Sequence, residues 1–269
     1  MSTATAPMEI GTVTLTVHDL TRTADFYARA LGLAKLASDR TEATLGAGNR
    51  ALVRLIADPA ARQRSPREAG LFHTAFLMPD RPALGAWVHH AAGSRLPVQG
   101  ASDHKVSEAI YFADPEGNGI EIYVDRPRSA WTKPDGSIHM TTDPLDIDYL
   151  AASASTSWAG APEGMVVGHV HLQVGDVKQA EDFYSGTLGF PVTAHYPGAA
   201  FYGAGGYHHH LATNVWNSRG AAPRTPSTGL TAVEILADAP SLAAIKAKAG
   251  RTTDLTDPWN TRITLTEKS

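Results

Sequence analysis

The sequence predicts an α+β protein built from four βαβββ modules. Two observations predict this class. Segments in which apolar and polar residues alternate are followed by segments with the apolar spacing of a helix, so the period changes from about 2 to about 3.6 residues. This order recurs along the 269 residues, which are enough for two domains of about 130 residues each.

The composition excludes several classes of protein. Hydrophobic residues make up 43% and charged residues 19% of the chain, as in ordinary globular proteins. The 27 acidic residues outnumber the 23 basic ones and no run is rich in lysine or arginine, which argues against a nucleic-acid partner. No segment approaches about 18 uninterrupted apolar residues, and residues 1–11 lack the features of a signal peptide. We therefore expect a cytoplasmic protein with no membrane partner.

An internal duplication supports the modular fold. Thr12–Val17 and Leu31-Gly32 reappear as His169–Val174 and Leu188-Gly189, at a constant offset of 157 residues. A looser repeat has an offset of 159 at its start and 143 at its end, so the last module has lost about sixteen residues. The predicted organisation is an N-terminal domain 1–127 with modules 9–60 and 68–127, a linker 128–164 in which Trp131 and Trp158 serve as anchors, and a C-terminal domain 165–269 with modules 165–219 and 227–267.

The first module shows the pattern most clearly. Thr12–Val17 alternates as a strand, and apolar residues at helical spacing follow until Gly32, which ends the helix. Strands are then expected at residues 33–38, 42–45 and 51–56, with a glycine-rich turn between the last two.

Polar residues at strand positions indicate a metal site, and without cysteine such a site must use histidine or carboxylate ligands. His73 and His169 hold equivalent positions on the first strands of modules two and three, and Glu121 lies among apolar residues on the last strand of module two. A carboxylate there needs a partner. If modules two and three pack face to face, these three residues converge as two imidazoles and one carboxylate. This ligand set suits Fe(II), and Mn(II) also fits, although affinity alone does not exclude Zn(II) or Ni(II).

The run Tyr207-His208-His209-His210 supplies a candidate acid/base residue. On a strand it would direct His209 to one face and His208 and His210 to the other, and the repeat alignment places His209 at the position of Glu121. In the same alignment Leu52 and Thr264 hold that position in modules one and four. We expect His209 to point inward and to exchange protons near neutral pH. The candidate pocket residues are His171, Phe112, Phe201 and Trp216.

A longer motif extends from His104 through Ile110-Tyr111, Asp114-Pro115 and Gly117 to Glu121. With the βαβββ repeats, which cover almost the whole chain, it resembles the vicinal oxygen chelate superfamily and, within it, the two-domain extradiol catechol 2,3-dioxygenases. Ser102 departs from the residue usual in that family. The resemblance implies two curved mixed sheets, iron ligation by Glu121, and contact of Tyr111 and His104 with the bound substrate or oxygen. It also implies that His209 is the acid/base and that a catechol-type diol and O2 are the substrates.

The chain departs from the best-known extradiol enzymes in the position of its site. Their site lies wholly in the second domain, whereas module four of this chain lacks every ligand. We therefore expect a site that straddles both halves, with module two paired to module three and module one to module four.

Two alternatives remain open at this level. In a glyoxalase-like isomerase or thiol transferase, His209 would be a fourth metal ligand, and in a non-catalytic binding protein the cavity would hold a ligand without a metal. The oligomeric state is also open, a homo-oligomer included.

Overall fold

The computed structural model describes residues 5–132 and 137–268. Residues 1–4, 133–136 and 269, which belong to the predicted N-terminal domain, linker and C-terminal domain, lie outside the described residues. The strands in the N-terminal half of the chain are β1 (Met8–Val17), β2 (Ala34–Ser38), β3 (Glu42–Ala47), β4 (Arg50–Ala57), β5 (Gly70–Leu77), β6 (Gly100–Asp103), β7 (Ser107–Ala113) and β8 (Gly119–Asp125).

The C-terminal half continues the same pattern. Its strands are β9 (Val166–Gln173), β10 (Val192–Tyr196), β11 (Ala199–Tyr202), β12 (Leu211–Asn214), β13 (Gly229–Ala237), β14 (Asp254–Thr256) and β15 (Arg262–Glu267). The helices of the chain are α1 (Leu20–Leu31), α2 (Arg81–Gly93), α3 (Ile147–Ala151), α4 (Val177–Glu181), which continues into a π-helical segment Asp182–Thr187, and α5 (Ala239–Lys248), with a short 3-10 turn at Arg128–Ala130. None of the described helices is both long and apolar enough to cross a membrane.

Two curved mixed sheets form the framework, and each takes strands from both halves of the chain. One has the order β14-β15-β13-β1-β4-β3-β2, and the other has the order β10-β11-β12-β9-β5-β8-β7-β6. The expected pairing of module two with three, and of module one with four, is confirmed. Module four has only two strands after its helix, so its pattern is βαββ, as the loss of residues there requires.

The expectation that modules two and three pack face to face is wrong. Their first strands, β5 and β9, are antiparallel neighbours in one sheet. Each module on its own would leave the edge of its first strand unpaired, and the ladder between β5 and β9 satisfies both edges.

The first module follows its sequence pattern closely. The side chain of Asp19 caps α1 by accepting a hydrogen bond from the backbone N–H of Arg22 at 2.9 Å. The helix ends at Gly32, whose φ of 68° is left-handed, and a Cβ there would lie 2.5 Å from Cα of Gly160. The predicted helix end is confirmed, and only glycine fits it.

The linker is anchored by both of its tryptophans, as predicted. Trp131 is buried and donates its indole N–H to the carbonyl of Arg126 at 2.8 Å. Trp158 stacks on His90 of α2 with a ring-centroid distance of 5.7 Å. Between these anchors, Ile138 and residues 140–142 border the cavity described below.

Candidate active site

Three neighbouring strands at the middle of the eight-stranded sheet bring His73, Glu121 and His169 together. Ala75 of β5 pairs with Glu121 of β8 on one side and with His169 of β9 on the other. His73 lies two residues before Ala75 and so shares its face of the sheet. Because Ala75 has a small side chain, the carboxylate and the imidazole can meet above it.

Irregularities in the ladder between β5 and β9 flank this site. The register shifts between Leu71 and His73 and again between Ala75 and Phe76, so Phe72 and Gly168 are the extra residues. A Cβ on Gly168 would lie 1.9 Å from the hydroxyl oxygen of Tyr123. Bulges of this kind re-aim neighbouring side chains, here His73 and His169.

The three predicted ligands are close together and buried. Oε2 of Glu121 lies 3.0 Å from Nε2 of His73 and 3.2 Å from Nε2 of His169, and one ligand atom from each residue lies within 4.8 Å of the others. No second such group of three or more ligand residues occurs in the ranges 5–132 and 137–268. The expected convergence of these three side chains is present, although it arises within one sheet.

The chemistry of this group fits a divalent metal ion. Nε2 of His73 is buried and lies 3.0 Å from Oε2 of Glu121, but the two atoms lack the geometry of a hydrogen bond. Burial would raise the pKa of Glu121, but the charges of His169 and His73 hold that pKa well below its usual range. Burial also lowers the pKa of His169, although the charge of Glu121 opposes this shift. An ionised carboxylate and neutral imidazoles are the forms that bind a metal.

His104 and Tyr111 form a hydrogen-bonded pair beside the ligands. Nε2 of His104 lies 2.6 Å from the hydroxyl of Tyr111, and Nδ1 lies 2.6 Å from the carbonyl oxygen of Thr141. Because that carbonyl only accepts, Nδ1 of His104 donates, and the neutral ring then accepts from Tyr111. Tyr111 pairs with Glu121 across the β7–β8 ladder, and burial, followed by the charge of Glu121, raises the pKa of the phenol well above its usual value.

His209 lies near the ligands but not on a strand. The run of three histidines occupies the connection between β11 and β12, so the predicted strand alternation is wrong for it. The register also corrects the alignment. Ala212 pairs with His171 as Glu121 pairs with Ala75, so Ala212 rather than His209 is the counterpart of Glu121.

The surroundings of His209 are those of a neutral imidazole. Its ring centroid lies 4.2 Å from that of His169, but it is not part of the three-residue ligand group. Its Nδ1 is hydrogen-bonded to Nδ1 of His208 at 2.8 Å. Burial, and then the neighbouring histidines, lower the pKa of His209 well below its usual value.

A cavity of about 520 Å³ opens above this group. All the predicted pocket residues line it: His171, Phe112, Phe201 and Trp216. His171 accepts a hydrogen bond at Nε2 from the side-chain amide of Asn214 at 3.0 Å, while Trp216 is 46% exposed and forms part of the rim.

Several lining and supporting residues were not predicted. Ile138, Met140, Thr141 and Thr142 of the linker, and His195 and Tyr196 of β10, complete the wall of the cavity. No periodicity in the linker distinguishes its lining residues. By contrast, Asp125 is foreseeable, because it follows Glu121 at strand spacing on β8 and so shares the face of the ligand.

Similarity to known proteins extends over most of this chain. The pattern of the Glyoxalase/Bleomycin resistance protein/Dioxygenase superfamily matches residues 9–122 and 166–263. Catechol-2,3-dioxygenase of Bacillus subtilis (strain 168) is 41% identical over 228 residues, which cover 82% of this chain and 80% of that protein.

Solved structures support the fold alone. One from Bacillus subtilis subsp. subtilis strain 168 has a TM-score of 0.67 and 14% identity, and covers 97% of this chain and 86% of its own. Glyoxalase I from Zea mays has a TM-score of 0.59 and 17% identity, and covers 97% of this chain and 92% of its own.

Proposed function

Because the chain belongs to the Glyoxalase/Bleomycin resistance protein/Dioxygenase superfamily, we propose that it is an Fe(II)-dependent extradiol dioxygenase. Its substrates would be O2 and a catechol-type diol, whose ring opens beside the two hydroxyl groups. The observation that carries the proposal is the buried group of two histidines and one glutamate at the base of a cavity lined by aromatic residues. The relationship to a catechol-2,3-dioxygenase supports it.

His73, Glu121 and His169 would hold the metal. Three protein ligands leave coordination positions for a small molecule, and this set is typical of non-haem Fe(II) oxygenases, while Mn(II) fits the same donors. Bound Fe(II) supplies the redox chemistry that O2 needs in order to react with an aromatic diol.

The other polar residues would handle protons and orientation. His209, neutral because it is buried, takes a proton from a hydroxyl group of the diol and returns it later in the cycle. Tyr111, held by His104, presents its phenol oxygen beside Glu121 and orients the reacting groups.

The geometry favours this role of His209 over that of a fourth ligand. Its Nδ1 is already hydrogen-bonded to His208, and the compact ligand group contains only the other three residues. An isomerase with four protein ligands therefore has less support than a dioxygenase with three.

The size and lining of the cavity suggest the kind of diol. A cavity of roughly 150 Å³ is enough for benzene, whereas this one is about 520 Å³. The only charged carboxylate among its described lining residues is Glu121, and no lysine or arginine of the described chain lines it. A buried carboxylate on the substrate would thus have no lysine or arginine to pair with. We infer that the preferred catechol carries a sizeable, uncharged, apolar substituent.

Oxygen uptake by protein reconstituted anaerobically with Fe(II) tests both the dioxygenase activity and the preference for an uncharged, apolar substituent. We expect uptake coupled to a yellow ring-fission product, with kcat/KM higher for 3-phenylcatechol and alkylcatechols than for 3,4-dihydroxyphenylacetate. A preference for the carboxylated diol would overturn the substrate inference. Iron-loaded protein that is silent with every diol would overturn the dioxygenase, and protein that binds no iron would favour a binding protein.

A further inference from the structure

A buried chain of hydrogen bonds lies behind His209 and involves no metal ligand. We propose that Asp125 and His208 are positioning residues, which fix the proton of His209 on Nδ1 and so leave its Nε2 free to accept a proton from the substrate. This inference rests on the proposed function only in assigning that proton to a diol.

The chain of hydrogen bonds begins at the end of β8. Asp125, the last residue of that strand, accepts a hydrogen bond at Oδ1 from Nε2 of His208 at 2.9 Å. The same oxygen accepts from the hydroxyl of Tyr207 at 3.1 Å. Nδ1 of His208 then lies 2.8 Å from Nδ1 of His209, which lines the cavity.

The carboxylate of Asp125, at one end of the chain of hydrogen bonds, determines which ring nitrogens of His208 and His209 carry protons. An ionised carboxylate only accepts, so Nε2 of His208 must carry a proton. In neutral His208, Nδ1 is then an acceptor, and the bond to His209 requires the proton on Nδ1 of His209. Nε2 of His209 is left with a lone pair, which is the form required of a general base.

Packing holds this arrangement in place. His208 is completely buried, with ring centroids 4.2 Å from Tyr207 and 4.9 Å from Trp131. Tyr123 supports Tyr207 through a hydrogen bond of 2.7 Å between the two hydroxyls. Water cannot replace these partners at His208, so the loss of one leaves a buried polar nitrogen unsatisfied.

The chain of hydrogen bonds also stabilises the positive charge that His209 acquires when it accepts a proton. When a diol hydroxyl loses its proton to Nε2 of His209, that ring becomes an imidazolium that still donates from Nδ1. The acceptor is His208, whose other nitrogen bonds to the carboxylate of Asp125. A negative group at the end of the chain stabilises the positive charge without itself being protonated.

Two variants distinguish the orientation of His209 by its hydrogen bond from the effect of the negative charge of Asp125. His208→Phe removes the acceptor of His209, whereas Asp125→Asn keeps an acceptor oxygen for His208 and removes the negative charge. For each iron-loaded variant we expect kcat to fall about 10- to 100-fold, with iron content and KM within about twofold of the parent. His210→Phe is the matched control, because His210 belongs to the same run, is buried, and has a pKa lowered to about 3. It should retain kcat.

The position of the proton can be measured without turnover. In the metal-free protein labelled with ¹⁵N-histidine, the resonances lost in His209→Phe identify His209, and their shifts distinguish an Nδ1–H from an Nε2–H ring. We expect Nδ1–H in the parent and in Asp125→Asn, and a loss of this preference in His208→Phe.

The outcomes distinguish this inference from the proposed function. An Nε2–H ring in the parent, or a parental kcat in both variants, would overturn the role of Asp125 and His208. Absence of dioxygenase activity in the parent would overturn the proposed function, while the NMR measurement would still decide the orientation of His209. If His208→Phe does not fold, the parent spectrum and the closely isosteric Asp125→Asn remain decisive.

Discussion

The two sheets of the molecule have related strand orders, but the polar side chains at matching positions are buried in one sheet and exposed in the other. In the sheet of modules two and three, the side chain of Glu121 is 3% exposed and lies between two buried histidines. In the sheet of modules one and four, the corresponding strand of module one carries Arg54, which is 46% exposed and bonded to Glu42 of the neighbouring strand.

The ladder registers make this comparison residue by residue. Thr14 pairs with Arg54 as Ala75 pairs with Glu121, so Arg54, and not the predicted Leu52, is the counterpart of Glu121 in module one. In module four the counterpart is Thr264, as the alignment predicts. Nearby, Arg262 forms an exposed ion pair with Asp254.

The difference shows what converts a sheet face into a site. In the sheet of modules one and four, polar side chains pair with one another, as do the hydroxyls of Thr16 and Thr231 at 2.8 Å. In the sheet of modules two and three, linker residues Ile138 and 140–142 and the end of β10 line the cavity above the polar groups. Glu121, His73 and His169 are all buried there. The two sheets differ in how deeply these polar groups are buried, more than in how many polar residues they carry.

Removing Glu121 should have the largest effect. Glu121→Ala leaves two histidines without the carboxylate, and we expect metal affinity to fall more than about 100-fold, with no detectable turnover. Thr264→Ala, at the matching position of the other sheet, should change neither. Metal content after dialysis against Fe(II) or Mn(II) provides the measurement, and parental metal content in Glu121→Ala would refute the ligand assignment.

Removing His209 should affect rate but not metal. We expect His209→Phe to lower kcat by about 10²- to 10⁴-fold, because a general base is lost, while iron content stays at the parental level. Steady-state oxygen uptake together with metal analysis checks this. Loss of the metal would instead indicate that His209 is a fourth ligand.

A single methyl group at the bulge should disturb the site through packing. In Gly168→Ala the new Cβ meets the hydroxyl of Tyr123, and we expect the free energy of unfolding to fall by about 1–3 kcal/mol. Gly100→Ala, in β6 of the same sheet, is the control, because its Cβ would meet no atom within 4 Å. Urea titration of both variants measures the difference, and equal midpoints would contradict the clash.

The exposed ion pair of the other sheet should matter least. Arg54→Ala removes its bond to Glu42, and we expect a change in the free energy of unfolding of at most about 1 kcal/mol, with unchanged turnover. Thermal unfolding at low and high salt tests this. A larger loss, or any loss of metal, would mean that the face contributes more than solvated polar groups do.

Much of this organisation follows from the sequence because it depends on periodicity. Alternation and the repeat predict the strands of module one and the convergence of His73, Glu121 and His169, and the distribution of such polar residues among the modules predicts how the modules pair. The arrangement of the His208–His210 run could not be predicted in the same way, because it lies in a connection whose course is fixed by packing against Trp131 and Asp125. The linker residues over the cavity likewise have no periodic signal.

The ladder between β5 and β9 has a consequence for synthesis of the chain. A ribosome that has completed only the N-terminal half has exposed β5 with no antiparallel neighbour, since Val166–Gln173 is still to be made. An apolar strand with a free edge is a template for aggregation. The nascent half-chain therefore exposes an unpaired strand edge until β9 has been synthesised.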